Sequence, residues 1–390
     1  MEKKKRFSMA LPFTAAFTWF GYHCGSGFAS GTQMKVYATK FGKMGLLAPI
    51  VAWICCAAFI YIIVEYARLV QAKSYRDVAG SIYWDSKPLG KFIILVWDIM
   101  VFFSMIVASG TCVAGFGQLL LELFGLPYFV GCAVFVVFMT LLMCFGTNVL
   151  DRLGKISSPL IVLFIIVCVV GIIRGAPNLG AVLTTEAGAS SVENATTFDV
   201  IKSGFTYGCI QISFVHTACV IGGQLKSRKE TNTMIGVGFL LNCGAMLFGT
   251  FAILAYYPGN MSSAMPLLDI VRSVPGPAGT ALLVVYNFIL IMAYITTAGA
   301  LIAGGIARYR PLLNKVTKKD FISKVIVVLV VLVGASILSV LGLEGVVSKA
   351  YGFLANLRKP IWFFPIIILG PISIYRVNKA LKASKAAAEP

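Results

Sequence analysis

Charged and titratable residues are scarce in this sequence, and several motifs of soluble enzymes are absent from it. Only 12% of the 390 residues are charged, and two are histidines. Neither H-E-x-x-H nor G-x-S-x-G occurs, which argues against two common plans for a hydrolase. Three Gly-Lys pairs occur, but none has the second glycine that a phosphate-binding loop requires. We therefore expect neither an enzyme nor a cofactor, and no energy from nucleotide.

Cysteine pairs of the kind that hold metals or form disulfide frameworks are also lacking. The ten cysteines are spread singly along the chain, apart from the adjacent Cys55 and Cys56, and none forms a C-x-x-C motif. Isolated cysteines in apolar segments are typical small core residues. Neither a zinc site nor a disulfide framework is expected.

Hydrophobic residues, in contrast, make up 58% of the chain, and the mean hydropathy is +0.88. No ordinary soluble domain is this apolar, and about 20 apolar residues suffice for a helix to cross the hydrocarbon of a bilayer. We expect an all-α polytopic membrane protein with ten transmembrane helices. The predicted segments lie at roughly 9–37, 44–70, 91–124, 127–147, 156–174, 199–225, 232–257, 278–307, 321–342 and 345–376.

The distribution of positive charge gives the expected orientation. The net charge is +18, but the cations lie between apolar segments rather than along one face, so nucleic acid is not an expected partner. With the N-terminus in the cytoplasm, 24 of the 33 lysines and arginines fall on the inner side, as the positive-inside rule requires. Lys35, Lys40 and Lys43 are exceptions. We expect a multi-pass protein of the cytoplasmic (inner) membrane with both termini inside and an uncleaved first span.

The ten segments divide into two halves of similar size. Residues 1–174 form a first five-helix repeat, 175–198 an extracellular loop, 199–376 a second repeat and 377–390 a basic cytoplasmic tail. Because five is odd, the second half enters the membrane from the opposite side, which predicts an inverted repeat. The sequence carries no indication of oligomeric state.

A glycine-rich stretch lies within the first segment. Residues 20–31 include Gly21, Gly25, Gly27 and Gly31, and each glycine disfavours a helix by about 1 kcal/mol relative to alanine. Backbone that leaves the helix at mid-membrane persists only where it is buried in protein or lines a cavity, so such breaks indicate transport sites. The alternative is that the glycines only allow close helix packing. Because they bunch together, we predict a broken helix.

The inverted repeat predicts a second break in the sixth segment, where polar residues occur at 211–218. This stretch contains His216, and His23 lies in the first break. A histidine at mid-span is a candidate functional residue, and the alternative is a neutral histidine bonded to a nearby carbonyl. Because this stretch has fewer glycines, the second break is the weaker prediction.

Two acids and one lysine are further candidates within or beside the spans. Glu65 has Arg68 three residues later and is expected to form a structural ion pair. Asp98 has no oppositely charged residue nearby in the sequence and is a candidate proton carrier. Lys155 could place a fixed ammonium where a metal ion would sit, or serve as an ordinary flanking charge. His216, Asp98 and Lys155 thus form the set of candidate relay residues.

Adjacent cations at 358 and 359 lie within the last segment. Each would cost about 2.5–3.5 kcal/mol near the middle of the bilayer. Arg358 and Lys359 therefore either mark the outer boundary of that segment or face a cavity.

The eighth segment contains two adjacent hydroxyl residues, Thr296 and Thr297. Oxygen ligands suit a hard cation such as sodium. The alternative is that each hydroxyl donates to the carbonyl four residues before it, as is usual for threonine in a membrane helix.

Ten spans, the glycine-rich break and the Thr-Thr pair resemble the LeuT fold of the amino acid–polyamine–organocation superfamily. The string Gly25-Ser26-Gly27-Phe28-Ala29-Ser30-Gly31-Thr32-Gln33 is similar to the start of the YkvI-like bacterial membrane proteins. The resemblance implies broken helices 1 and 6 and a sodium site formed by Gly21, Cys24, Thr296 and Thr297. It also implies substrate contacts from Ser26, Gly27, Phe28, Ala29, Phe214, His216 and Thr217.

From these observations we expect a secondary active transporter of a small zwitterionic solute, an amino acid or a derivative. Its transport is expected to be coupled to sodium or protons. Amine transporters of the superfamily often have Gly-x-acid in the sixth helix, whereas this chain has Phe214-Val215-His216. An organic-cation transporter is therefore an alternative with less support. A non-transporting membrane sensor on the same fold is a second alternative.

Overall fold

The computed structural model describes residues 10–84, 87–145 and 157–386, and within these ranges every regular element is a helix. Lys155 lies outside the described residues. The first half contains, in order, α1 (Ala10–His23), α2 (Ser26–Ala29), α3 (Thr32–Tyr37), α4 (Leu47–Val70), α5 (Tyr75–Tyr83), α6 (Pro88–Phe124), α7 (Tyr128–Phe145) and α8 (Ser157–Arg174). A 3₁₀ segment, Thr39–Leu46, leads into α4.

The remaining elements begin with a short helix in the expected connecting region. In order, the elements are α9 (Ala176–Thr184), α10 (Thr197–Gln211), α11 (Val215–Gln224), α12 (Arg228–Leu254), α13 (Pro266–Arg272), α14 (Gly276–Thr317), α15 (Asp320–Ser339), α16 (Gly342–Gly345), α17 (Tyr351–Arg358) and α18 (Phe364–Ala386). The region expected as a loop, 175–198, thus contains α9 and a 3₁₀ turn at Glu186–Gly188. Helix α18 continues through most of the expected tail.

Eight helical stretches among the described residues are long and apolar enough to cross a membrane, and a bent pair would make nine. The bent pair, Val162–Arg174 and Ala176–Thr184, meets at 75°. The first segment is not among the eight because its interruption divides it into pieces too short to span. The multi-span, all-helical class is confirmed, and the count of ten stays a prediction.

Helix packing places the interrupted first segment in the centre of the bundle. Helix α1 packs against α12, and α4 packs against α10 and α11. In the sequence, α4 follows the interrupted segment α1–α3, and α12 follows α10–α11. An inverted repeat therefore relates the packing of α1 on α12 to the packing of α10–α11 on α4. The domain boundaries themselves remain predictions.

Close approach explains why small residues occur on the packing faces. A Cβ atom at Gly238 of α12 would lie 2.2 Å from the ring of Trp19 in α1. Trp19 is fully buried. Only glycine allows α1 and α12 to approach this closely around the indole.

Candidate functional site

The first segment is interrupted where the glycines bunch. Helix α1 ends at His23, Gly25 has an extended backbone (φ −81°, ψ −169°), and helical structure resumes at Ser26. A second change of direction occurs at Gly31, whose φ of +83° is in the left-handed region that favours glycine. A Cβ atom there would also lie 2.8 Å from Leu267. The predicted break in residues 20–31 is confirmed.

A cavity of about 570 Å³ lies beside this interruption. Its size is that of a small-molecule site. None of its lining residues, within the described part of the chain, is Asp, Glu, Lys or Arg. The lining comprises Thr14, Phe17, Thr18, Gly21, Tyr22, His23, Gly25, Ser26, Gly27, Gln33, Ala108, Thr111, Ile210, Gln211, Ser213, Phe214, Thr217, Thr296, Thr297, Ala300, Leu301, Ala303 and Tyr351.

The cavity opens along the middle of α1. Its exposed lining residues, Thr14, Phe17, Thr18 and Ala300, come from the middle of α1 and from the C-terminal half of α14. In contrast, residues 25–37, on the far side of the break, are all buried. The cavity is therefore accessible from the side on which α1 begins.

Hydrogen bonds from α3 close the opposite side. Tyr207 donates to Gln33 Oε1 at 2.8 Å, and Tyr37 donates to the Val347 carbonyl at 2.7 Å. These bonds join α3 to α10 and to the π-helical stretch Val346–Ala350. The residues of α3, Thr32–Tyr37, are all buried on this side.

Lys35 adds an ion pair to this closure. Its side chain is only 4% exposed, and its Nζ lies 2.5 Å from Glu344 Oε2 at the start of the last segment. The same ammonium donates to the carbonyls of Ser263 at 2.6 Å and Met261 at 3.3 Å. Lys35, one of the exceptions to the positive-inside pattern, is thus buried. It connects α3 to residues 261–263 and to the start of the last segment.

The second expected break differs from the first. Helix α10 passes into a 3₁₀ turn at Ile212–Phe214, and then into α11, without leaving right-handed helical dihedrals. The α-helix is thus interrupted at the expected place, but by a single 3₁₀ turn rather than by extended backbone, and this turn contains no glycine. Its carbonyls still accept side-chain bonds, since the His23 Nε2 donates to Gln211 O at 2.8 Å and the His216 Nδ1 donates to Ser213 O at 3.0 Å.

Arg358 reaches the carbonyls just before that turn. Its guanidinium, fully buried, donates to Ile210 O at 2.5 Å, to Cys209 O at 3.3 Å and to Ser104 Oγ at 2.6 Å. Residue 358 was expected at the outer boundary or facing a cavity, but Arg358 is buried against these carbonyls and does not line the cavity. Lys359 points elsewhere and donates to Thr206 Oγ1 at 3.0 Å.

The structure brings four of the seven expected substrate residues to the cavity. Ser26, Gly27, Phe214 and Thr217 line it. As the first residues of a helix, Ser26 and Gly27 have amides without a partner inside that helix.

The other three expected substrate residues do not line the cavity. The Phe28 ring packs against Phe164 at 5.3 Å, and the Ala29 carbonyl accepts a bond from Tyr286 at 2.6 Å. His216 contacts Tyr22, with ring centroids 5.6 Å apart. Tyr22 and Tyr351 do line the cavity but were not predicted, because an isolated tyrosine in an apolar segment gives no distinctive pattern.

Three of the four expected cation ligands line the cavity, namely Gly21, Thr296 and Thr297, whereas Cys24 does not. The Thr296 hydroxyl donates to the Met292 carbonyl at 2.7 Å, as in the alternative foreseen for it. Thr297 lies against the break, since a Cβ at Gly25 would be 3.3 Å from its Oγ1. Thr297 is thus the hydroxyl that faces the interrupted backbone.

Asp98 lies in an ionic cluster near the predicted cytoplasmic surface. It forms ion pairs with Arg76 and Arg308 and accepts a hydrogen bond from Tyr75. Burial and then this bond raise the pKa of Tyr75, so its hydroxyl remains a donor. The partners of Asp98 come from α5 and α14, so the lack of an oppositely charged neighbour in the sequence did not mean an unpaired acid.

Glu65 behaves as expected. It pairs with Arg68 at 2.6 Å and also accepts a bond from Thr231 Oγ1 at 2.9 Å. The structural ion pair is confirmed.

Comparisons with known proteins identify one similar sequence and several similar folds. No family model matches the sequence. The chain is similar to the uncharacterized membrane protein YkvI of Bacillus subtilis (strain 168), at 21% identity over 277 residues, which cover 70% of this chain and 73% of YkvI.

Several solved transporter structures have the same fold. A manganese transporter variant from Eremococcus coleocola has a TM-score of 0.64 at 12% identity, covering 97% of this chain and 87% of its own. MhsT in complex with L-phenylalanine gives 0.56 at 14%, covering 96% and 99%. Inward-facing Mhp1 gives 0.58 at 14%, covering 95% and 91%. The expected LeuT fold and the resemblance to YkvI are confirmed.

Proposed function

We propose that this protein is a secondary active transporter of a small zwitterionic solute, an amino acid or a derivative, that works by alternating access. The observation that carries the proposal is a cavity beside an interrupted helix, open on one side and closed on the other by contacts of α3. Transport requires such a site to be exposed to the two sides in turn. The state described here would be the one open to the cytoplasm.

The lining favours a carboxylate and an apolar group. Ser26 and Gly27 line the cavity at the start of α2, and their backbone amides have no partner within that helix, so they can donate to an anion. Phe17, Tyr22 and Phe214 supply an aromatic wall. MhsT, which shares the fold, was solved with L-phenylalanine, and this supports an amino acid as the class of solute.

A divalent metal is a less fitting cargo, although a manganese transporter shares the fold. Manganese prefers oxygen ligands, carboxylates above all. No cavity-lining residue in the described ranges is acidic, and no group of three or more His, Cys, Asp or Glu residues lies together there. The same lack of acids disfavours an organic cation or amine.

For the coupling ion we propose sodium bound by Thr297 together with carbonyls of the break at Gly21 and Cys24. Thr296 would join this set only if its hydroxyl left the Met292 carbonyl. Protons are the alternative, with His216 or Asp98 as the carrier. The ion pairs of Asp98 make it the less suitable of the two, since they hold it as a carboxylate.

A thermal-shift screen of purified protein against amino acids and amines, with sodium, potassium and pH varied, tests these proposals. We expect stabilisation by an amino acid that is enhanced by sodium and lost in Thr297→Ala. Thr280→Ala, an exposed threonine near the start of α14, is the matched control. If sodium still enhances the stabilisation in Thr297→Ala, the proposed sodium site is wrong and protons become the favoured coupling ion. If proteoliposomes transport no amino acid, a non-transporting sensor is favoured.

A further inference from the structure

One buried charge has no role in the proposed transport mechanism. Arg358, on α17, is fully buried, and its acceptors are two backbone carbonyls and one hydroxyl. Its Nε has no hydrogen-bond partner. Within the described residues no carboxylate forms an ion pair with it.

Such an arrangement is unusual because buried charges are ordinarily paired. Burial removes water from the guanidinium, and neutral acceptors return only part of the lost solvation. Arginine keeps its charge under these conditions. The protein therefore maintains an uncompensated positive charge in its interior.

This charge lies directly behind one wall of the cavity. Ile210, whose carbonyl accepts the bond at 2.5 Å, lines the cavity, as does the adjacent Gln211. Tyr22, which also lines the cavity, lies beside the turn that follows Ile210 and Gln211, since its hydroxyl donates to the Ser213 carbonyl at 3.4 Å. Since none of the described lining residues is Asp, Glu, Lys or Arg, Arg358 is a formal charge bonded directly to the wall that a solute meets there.

We propose that Arg358 is the fixed countercharge that makes the cavity select solutes by their carboxylate, so that an amino group is not required for binding. The amides of Ser26 and Gly27 contact the anion, and Arg358 supplies the net charge from behind the wall. This inference rests on the proposed transport function and deepens it. It follows that a 2-oxo acid binds about as well as the matching amino acid, whereas the amino amide and the amine do not bind.

Matched solutes test this in the unmodified protein. For one apolar side chain, the amino acid, its 2-oxo acid, its amide and its decarboxylated amine are compared by isothermal titration calorimetry in lipid nanodiscs. We expect the two carboxylates to bind with affinities within a few-fold of each other, and the two cations at least about tenfold more weakly. Equal binding of amide and amino acid, or a 2-oxo acid that fails to bind, would overturn the proposal.

Variants of Arg358 locate the source of the preference. Arg358→Lys keeps the charge and is expected to keep the preference for carboxylates. Arg358→Gln is expected to reduce the ratio of carboxylate to cation affinity about tenfold. Lys359→Gln is the matched control, because it removes a neighbouring cation that points to Thr206. A preference that is the same in Arg358→Gln as in the parent would show that Arg358 only anchors the carbonyls of residues 209 and 210.

A second measurement needs no solute. Ala300→Cys places a thiol at an exposed position of the cavity, where its rates with an anionic and a cationic methanethiosulfonate reagent report the local potential. The protein with its native cysteines supplies the background rate. We expect the anionic-to-cationic ratio to exceed that of a free thiol, and to fall about tenfold on adding Arg358→Gln but not Lys359→Gln.

The two measurements separate the possible failures. If no solute is bound or transported but the thiol ratio depends on Arg358, the transport function fails while the countercharge stands. If amino acids are transported but the ratio is unaffected by Arg358→Gln, transport stands and the countercharge is refuted.

Discussion

The closure formed by Lys35 and Glu344 should control how often the outer side of the cavity opens. The ammonium is buried, whereas the carboxylate is half exposed, with side-chain exposures of 4% and 50%. A hydrogen bond between charged groups contributes about 1.5–3 kcal/mol, and solvent at Glu344 reduces this to about 1.5 kcal/mol. Glu344→Ala should therefore favour opening of α3 by about tenfold.

Hydrogen–deuterium exchange measures this opening directly. Amides in 32–37 exchange when α3 separates from its partners, so their rate follows the opening equilibrium. We expect about tenfold faster exchange in Glu344→Ala and a smaller increase in Glu344→Gln, which keeps a neutral acceptor for Lys35. Faster exchange should also appear at 261–265, because Lys35 binds carbonyls there.

Another ion pair provides the control. Glu122 and Arg272 form a pair at 2.8 Å, each about one-third exposed, and the hydrogen bonds of this arginine go to Glu122 rather than to α3. Glu122→Ala should leave exchange at 32–37 within about twofold of the parent. The reasoning is refuted if Glu344→Ala leaves exchange in α3 unchanged, or if Glu122→Ala increases it equally.

Three further substitutions have defined outcomes. Gly238→Ala should lower the free energy of unfolding by about 2–3 kcal/mol through overpacking against Trp19, measured by urea titration, whereas Gly236→Ala, where a Cβ has open space, should be neutral. Asp98→Asn should lower the thermal midpoint by several degrees, since Arg76 and Arg308 lose a charged partner, and a loss of proton coupling without loss of stability would contradict this. Gly27→Ala should weaken solute binding about tenfold, because the added methyl lies 3.1 Å from Gln33 at the cavity edge and from the buried Val347, so that the wall of the cavity must shift; unchanged binding in calorimetry would contradict it.

Local features of the sequence were sufficient to predict the interrupted helix. The cost of glycine in a helix acts at the residue that carries it, so the bunching at 21–31 could be interpreted without knowledge of the packing. The Glu65–Arg68 pair was predictable for the same reason, because its members are one turn apart.

Contacts between distant residues could not be predicted in this way. Asp98 receives Arg76 and Arg308, which are 22 and 210 positions away, and Arg358 reaches Ile210 across 148 positions. Sequence spacing contains no information on such pairs, since helix packing alone decides which distant residues meet. The polar stretch 211–218 could be identified from the sequence. How far the helix unwinds there depends on contacts with distant residues, since Arg358 and His23 donate to the carbonyls of Ile210 and Gln211.

Helix α14 has 42 residues, and at about 1.5 Å per residue it is about 63 Å long, roughly twice the thickness of the hydrocarbon. Its middle lines the cavity at Ala300, and its far end at Thr317 lies about 25 Å beyond. A tilt of about 10° around Ala300 would move Thr317 by about 4 Å. The helix is thus long enough for a small rearrangement around a solute to displace its end by several ångströms.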